Sequence, residues 1–305
     1  MDKAVLERDA SADLDAMAAE ALAVDLPTSG APATPLVFAS PHSGDHYPLS
    51  MLEALRLRPE QLRSSEDSFV DALIAPAPAL GAVVIRAKVA RAFIDLNRAP
   101  YELDAAMFED QLPDFACVRT ARVAAGLGAI PRLAGGGREI YRRKLTFAEA
   151  KARIDSVHRP YHDALTHLLA QARVVHGLAV LFDWHSMPSA AVQGQMRHGR
   201  REPRCDIVLG DRFGSACAPA LIALAEQTFE SLGYRCARNA PYAGGYTTEH
   251  YGRPTRRTHA LQIEINRAIY LDEASRLRTE GFSQLSRDIA AFTNRMAAFD
   301  WGSLR

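Results

Sequence analysis

The segment Leu178–Pro188 reads LAVLFDWHSMP, an apolar run that ends in an aspartate, a tryptophan and a histidine. Two further segments have the same form. LVFAS at Leu36–Ser40 leads into His42, and ALQIE at Ala260–Glu264 ends on a carboxylate. Short apolar runs bounded by polar or turn residues are typical of buried strands in an α/β sheet. Since ligands bind beyond the carboxyl ends of such strands, we expect the polar residues that close these runs to meet at one edge of the sheet.

The charge balance and the cysteine content limit the class of protein. The 305 residues include 36 basic and 36 acidic side chains, which favours neither nucleic acid nor an anionic membrane as a partner. The four cysteines lack C-x-x-C spacing and predict reduced thiols in a cytoplasmic protein. Residues 1–24 are acidic and alanine-rich, unlike a signal peptide, and no apolar run has the length of a membrane span. We therefore expect a small-molecule partner.

Apolar periodicity predicts an N-terminal helix and linker at residues 1–34 and a single α/β domain at residues 35–305. The predicted strands are Leu36–Ala39, Ala82–Ile85, Phe93–Leu96, Leu178–Phe182, Ile207–Leu209 and Ala260–Ile265. Helices are predicted within Met1–Val24, Arg58–Leu73, Phe147–Val175 and Pro219–Leu232, with two more in Leu271–Phe299, and Tyr242–Gly252 is predicted as a loop. This alternation favours a three-layer α/β fold, with a central mixed, twisted sheet flanked by helices.

His42 and His185 are candidate metal ligands, because each closes an apolar run and lies beside small polar residues. One histidine at a strand end is usually a structural polar group, but two such histidines favour a zinc site. A catalytic zinc ion takes three protein ligands and keeps a position open for water. Four carboxylates are open as the third ligand: Asp45, Glu66, Asp67 and Asp183. Glu66 and Asp67 could equally have a structural role, in which their charge complements the macrodipole at the start of a helix.

His158 and His162 are spaced i, i+4 on a predicted helix, which is a spacing that can bind zinc. Pro160 lies between them, however, and no glutamate stands beside the first histidine. We therefore predict a structural role for the pair. Of the other histidines, only His250, in the glycine- and tyrosine-rich loop, is a plausible site residue.

Arg98 directly follows Asn97, and a guanidinium group can bind a carboxylate through two parallel hydrogen bonds. Arg91 lies seven residues earlier and could serve the same pocket. Glu264 alternates out of an apolar strand, where a buried carboxylate is costly without a partner. It is either part of an internal ion pair, for which Arg267 is available, or a general base that takes a proton from the attacking water.

Seven motifs stand out between residues 35 and 299: Ser40–Gly44 with Tyr47-Pro48, Ser65–Asp71, Asp95–Arg98, Asp183–Pro188, Asp206–Asp211, Asn239–Tyr246 and Gln262–Arg267. Together they resemble the N-formylglutamate amidohydrolase family. The resemblance implies a fold like that of the zinc carboxypeptidases. It also implies hydrolysis of N-formyl-L-glutamate to formate and glutamate in a histidine-degradation route.

The same resemblance implies one zinc ion per chain, held by His42, Asp67 and His185. The zinc carboxypeptidases have a glutamate at the position of Asp45, and this departure moves the third ligand to Asp67. The implied catalytic and substrate-binding residues are Glu264 as the base, Arg91 at the oxyanion, and Asn97 and Arg98 on a substrate carboxylate. We expect residues within Tyr242–His250, with Tyr246 and His250 as candidates, to close over the other end of the substrate.

Two alternatives stay open from the sequence. One is another N-acyl amino acid hydrolase or a carboxypeptidase-like enzyme. The other is a metal-free protein that keeps the fold for carboxylate binding. Zinc content separates the two classes, since a binding protein has no need of stoichiometric metal.

Overall fold

The computed structural model describes residues 20–28, 30, 32–192, 196–197, 200–201 and 205–304. The chain forms two compact units. The first comprises Met1–Ala23, Pro41–Ser68 and Arg86–Leu165, and the second comprises Val24–Ser40, Phe69–Ile85 and Thr166–Arg305. The expected boundary between an N-terminal segment of residues 1–34 and one domain of residues 35–305 stays a prediction.

A seven-stranded sheet runs through the second unit. Its strands are β1 (Leu22–Asp25), β2 (Leu36–Ser40), β3 (Val83–Ala87), β4 (Ala179–Met187), β5 (Ile207–Gly210), β6 (Cys236–Arg238) and β7 (Thr258–Asn266), in the order β1-β3-β2-β4-β7-β5-β6. β2 and β7 both pair in parallel with β4, whereas β5 is antiparallel to β7. The sheet is therefore mixed, and the predicted three-layer α/β class is confirmed.

β4 and β7 are longer than the apolar runs that predicted them. Each has nine residues, all of them buried, so both faces of the sheet are covered here. Successive side chains of a strand point to opposite faces. Phe182 and Trp184 belong to the main apolar core, whereas Asp183 and His185 alternate with them and point to the other face. His185 and Glu264 thus lie within strands, not beyond their ends as predicted.

The main core packs helices Pro219–Ser231 and Gly281–Ala297 against the sheet. Trp184 stacks edge-on with Phe229 and Phe292, at ring-centroid distances of 6.5 and 5.7 Å. Burying such aromatic side chains removes a large apolar area from water. This packing holds β4 in place, and with it the polar face that carries His185.

The observed helices are Leu49–Leu52, Pro59–Leu62, Val70–Ile74, Ala121–Ala124, Phe147–Arg153, Arg159–His176, Pro219–Ser231, Tyr246–Tyr251 and Gly281–Ala297. The segments predicted at Phe147–Val175 and Pro219–Leu232 have bounds close to those observed. Thr146 accepts from the Glu149 backbone N–H while the Glu149 carboxylate accepts from that of Thr146, so a capping box begins the helix at Phe147. A π turn at Ile154–His158 precedes Pro160, whose ring would clash with a carbonyl of the preceding turn in a regular α-helix.

Four predicted elements are wrong in part. Leu22–Val24 belongs to β1 and not to a helix, and residues 1–19 of that predicted helix lie outside the described residues. Phe93–Leu96 forms turns and not a strand. The loop predicted from Tyr242 contains helix Tyr246–Tyr251, and Leu271–Phe299 holds a short strand pair before a single helix. β1 and the helix Tyr246–Tyr251 are short, so tertiary contacts decide their structure more than the local pattern does.

Short elements complete the fold. Paired strands are Leu133–Ala134 with Arg138–Glu139, Met196–Arg197 with Arg200–Arg201, and Leu271–Asp272 with Leu277–Arg278. Single 3₁₀ turns are Arg63–Ser65, Ala77–Leu80, Ala105–Met107, Ser189–Val192, Pro254–Arg256, Arg267–Ile269 and Trp301–Leu304. Within the described ranges, none of the helices has the length and apolar character needed to cross a membrane.

Candidate metal centre and active site

His42 and Asp67 are brought together by the loop that follows β2. The Asp67 backbone N–H donates to the carbonyl oxygen of His42 over 3.0 Å. Gly44 makes the turn possible, because a Cβ at this position would lie 2.3 Å from the carbonyl oxygen of Val89. His42 Nδ1 and Asp67 Oδ2 lie 3.4 Å apart, and both side chains are almost fully buried. The turn motif thus serves to juxtapose an imidazole and a carboxylate.

Asp95 orients the His42 ring. Its Oδ1 lies 2.6 Å from His42 Nε2, and its Oδ2 accepts from Arg91 over 2.6 Å. Burial by itself would raise the pKa of Asp95, but the charges of Arg91 and His42 hold that pKa well below its usual range. An ionised carboxylate can only accept, so His42 carries its proton on Nε2 and turns the Nδ1 lone pair toward Asp67.

His185 lies in β4 two residues after Asp183, so the two side chains share a face. His185 Nε2 and Asp183 Oδ2 are 3.0 Å apart, although neither Asp183 oxygen accepts a hydrogen bond of good geometry. Asp183 is completely buried. A buried carboxylate is costly unless positive charge lies close to it. This face of β4 therefore favours a cation or a protonated ring next to Asp183.

His42, Asp67 and His185 form a cluster that could hold a metal ion. One ligand atom from each residue can be chosen so that all three lie within 4.8 Å of one another. Two ligands of a tetrahedral zinc ion are about 3.3 Å apart when each is about 2.0 Å from the metal, close to the 3.4 Å between His42 Nδ1 and Asp67 Oδ2. Two imidazoles and one carboxylate are also a donor set that zinc prefers. The residues present therefore fit the predicted metal.

The other two acids near His42 lie outside this cluster. Glu66 accepts from Tyr47 Oη over 2.5 Å and from Ser68 Oγ over 3.2 Å, and it lies 3.4 Å from Arg63. Burial raises the pKa of Glu66 despite these donors. Asp45 is exposed on the surface. Of the three carboxylates that follow His42, only Asp67 joins the two histidines.

Glu264 is the register partner of His185 on the adjacent parallel strand β7. Register partners point to the same face of a sheet, with strands about 4.8 Å apart, so Glu264 is next to a proposed metal ligand. Gln262 donates to Glu264 Oε1 over 2.8 Å and accepts from the Gly245 backbone N–H over 2.8 Å. The sequence analysis missed Gln262, although its period-two spacing from Glu264 could have indicated it.

Arg98 is a partly buried cation whose side chain donates to two carbonyl oxygens, those of Leu127 and Asn97, at 3.0 and 2.7 Å. A guanidinium has five N–H donors, so these two bonds leave three. Burial lowers the pKa of Arg98, and the nearby Asp95 charge opposes this shift. No carboxylate of the described chain lies within ion-pair distance of it. Arg98 can therefore still receive an anion.

Tyr246 and His250 occupy one face of the helix Tyr246–Tyr251, with rings stacked at 5.0 Å between centroids. Burial raises the pKa of Tyr246, whereas burial and then the charge of Arg253 lower that of His250. Gly245, the N-cap residue of this helix, donates its backbone N–H to Gln262 Oε1. Gln262 therefore connects the start of the helix that carries Tyr246 and His250 to Glu264.

Comparison with known proteins gives a consistent result. Residues 34–271 match the sequence model of the N-formylglutamate amidohydrolase family. The chain is 30% identical to an N-formylglutamate deformylase of Pseudomonas aeruginosa over 242 residues, which cover 78% of this chain and 83% of that protein. A deformylase of Pseudomonas putida is also 30% identical, over 244 residues.

Solved structures agree with the sequence matches. The crystal structure of an N-formylglutamate amidohydrolase from Ralstonia eutropha JMP134 has a TM-score of 0.83 and 38% identity, covering 91% of this chain and 97% of that one. A gene product of Agrobacterium tumefaciens shares the fold, with a TM-score of 0.63 and 17% identity. The predicted assignment to a family of enzymes that hydrolyse an amide is thereby confirmed. The chain belongs to the N-formylglutamate amidohydrolase family.

Proposed function

We propose that this protein is a zinc-dependent deformylase that hydrolyses N-formyl-L-glutamate to formate and L-glutamate. The observation that carries the proposal is the buried cluster of His42, Asp67 and His185, with Glu264 in register beside His185. The relatives named as N-formylglutamate deformylases support the choice of substrate. A place in histidine degradation and a location in the cytoplasm belong to the same proposal.

His42, Asp67 and His185 would hold one zinc ion per chain. When bound, zinc acts as a Lewis acid and makes water a stronger nucleophile near neutral pH. Asp95 keeps the His42 lone pair directed at the site, and Asp183 stabilises positive charge beside His185. Carboxylates behind metal-binding histidines typically increase ligand basicity and fix ring orientation.

Glu264 would be the general base. It would take a proton from the attacking water and deliver it to the leaving amino group, as a carboxylate can do within hydrogen-bond reach of both. The hydrogen bond from Gln262 holds one carboxylate oxygen in a fixed orientation.

Arg98 and Asn97 would bind a carboxylate of the substrate. The three remaining donors of Arg98 and its partial burial support this role, since a buried guanidinium gains most from a charged partner. Arg91 would stabilise the oxyanion, with Asp95 orienting its guanidinium. Tyr246 and His250 would contact the other end of the substrate.

A formate-release assay tests the proposal directly. The purified protein, stripped of metal and then reloaded with zinc, is given N-formyl-, N-acetyl- and N-succinyl-L-glutamate and also N-formyl-L-leucine. We expect zinc-dependent formate release, fastest from N-formyl-L-glutamate. Full activity of the metal-free protein would refute the zinc site, and faster hydrolysis of another acyl group would identify a different N-acyl amino acid hydrolase.

A further inference from the structure

The segment Ala92–Arg98 is irregular, yet most of its carbonyl oxygens accept a hydrogen bond. It contains Asp95, which orients His42, and the two residues proposed to bind the substrate carboxylate. The N–H groups of Phe93, Asp95 and Asn97 donate to Ala90 O, Ala129 O and Asp95 Oδ1, respectively. Within the part of the chain that the structure describes, the segment has no strand neighbour, and most of its carbonyl oxygens are satisfied by side chains instead.

Four side chains from outside the segment donate to its carbonyl oxygens. Tyr141 Oη bonds Ala92 O at 3.3 Å, Arg153 bonds Phe93 O at 3.1 Å, His162 Nε2 bonds Leu96 O at 2.9 Å, and His158 Nε2 bonds Arg98 O at 2.9 Å. Three of the four donors come from the single helical run 147–176. The carbonyls of Leu96 and Arg98 flank Asn97 on both sides.

The hydrogen bonds of His158 and His162 show which ring nitrogen carries a proton. A carbonyl oxygen can only accept, so each ring carries a proton on Nε2. The two rings lie 4.3 Å apart between centroids, and both residues are less than a tenth exposed. The i, i+4 spacing places them on one face, and the π turn that ends at His158 widens the helix immediately before Pro160. Neither histidine joins the metal cluster.

We infer that His158 and His162 are positioning residues, whose Nε2–H groups hold the Leu96–Arg98 backbone so that Arg98 presents its remaining donors to the substrate carboxylate. This inference rests on the proposed function, because it requires a substrate with a carboxylate. The two rings do not touch substrate in this assignment. They act only through the two carbonyl oxygens that flank Asn97.

The assignment predicts a specific kinetic pattern. Replacing either histidine by phenylalanine keeps the ring volume but removes the donor, and leaves a buried carbonyl oxygen without its partner. We expect KM for N-formyl-L-glutamate to rise about 10-fold with a smaller change in kcat, the scale of one lost hydrogen bond. His158→Gln and His162→Gln should restore much of the affinity, because a glutamine amide can donate from a position close to that of Nε2.

His167→Phe is the matched control, since His167 lies on the same helix but is exposed. The substrates are N-formyl-L-glutamate and its two monoamides, N-formyl-L-glutamine and N-formyl-L-isoglutamine. One of the two monoamides lacks the carboxylate that Arg98 is proposed to bind. The parent should hydrolyse this monoamide poorly, and the phenylalanine variants should hydrolyse it no more slowly than the parent does. Zinc content should be unchanged in every variant.

Amide hydrogen exchange of residues 92–98 gives a second measurement that does not depend on turnover. Exchange should accelerate in the phenylalanine variants and stay at the parent rate in the glutamine variants and in His167→Phe. Unchanged KM and exchange in the phenylalanine variants would overturn the inference, as would an equal loss of kcat on all three substrates with no rescue by glutamine. If the parent protein releases no formate, the proposed function fails, and the exchange comparison alone decides whether the two histidines hold the segment.

Discussion

Asp95→Asn is the substitution that most directly tests the organisation of the metal centre. Asp95 is 2% exposed and accepts from His42 on one oxygen and from Arg91 on the other, each at 2.6 Å. Asparagine has the same shape but only one acceptor oxygen. Its NH₂ group must therefore face the N–H of either His42 or Arg91, and two donors cannot form a hydrogen bond. The variant also removes the negative charge that lies beside His42 Nε2.

The expected magnitude follows from this arrangement. Loss of a carboxylate behind a metal-binding histidine typically lowers metal affinity about 10- to 100-fold, which corresponds to about 1.4–2.8 kcal/mol. We expect zinc affinity to fall within this range. The metal-free variant should also be less stable by about 1–3 kcal/mol, because one buried donor loses its acceptor.

Competition with a chromophoric zinc chelator measures the affinity, and urea unfolding of the metal-free protein measures the stability. Asp45→Asn is the control, since Asp45 lies three residues after His42 but is exposed. An Asp95→Asn protein that binds zinc as tightly as the parent would refute the role of Asp95. Loss of zinc in Asp45→Asn would instead show that the third ligand has been misassigned.

The remaining predictions concern the metal, the base, the carboxylate site and a helix cap. Purified protein should contain about one zinc ion per chain, and chelation followed by zinc should abolish and then restore formate release; an active metal-free protein would contradict this. Glu264→Gln should keep its zinc and lower kcat at least ~10²-fold, whereas loss of zinc in this variant would make Glu264 a ligand. Arg98→Lys should lower kcat/KM for N-formyl-L-glutamate about 30-fold or more with normal zinc content. If the substitution slows hydrolysis of both monoamides as much as that of N-formyl-L-glutamate, another residue binds the substrate carboxylate. Burial would raise the pKa of Glu149, but hydrogen bonds from Arg143 and Thr146 lower it below the unfolded value of about 4.3. At pH values above about 4.3 the ionised Glu149 should therefore stabilise the fold by about 0.5–1 kcal/mol. Urea unfolding should show a difference in stability between parent and Glu149→Gln that vanishes as the pH falls through the lower folded pKa, and a difference that persists in acid would rule out the charge as its source.

Local patterns in the sequence were enough to predict the strands that carry His185 and Glu264 and the strand that precedes His42. Apolar runs mark β2, β4 and β7 because these strands are buried on both faces. The family and its amide hydrolysis also followed from motifs a few residues long. Such features are encoded by neighbours in the chain, so they are visible without the fold.

Only the tertiary structure decided which carboxylate stands beside the histidines and what holds the site in place. Glu66 and Asp67 are adjacent in sequence, and only the path of the loop directs the second toward His42 and the first toward Tyr47. Asp95 reaches the His42 ring across 53 residues. His158 and His162 bond carbonyl oxygens 60 and 66 residues away. Contacts over such separations leave no local periodicity, because they depend on how distant segments pack and not on the residues that flank them.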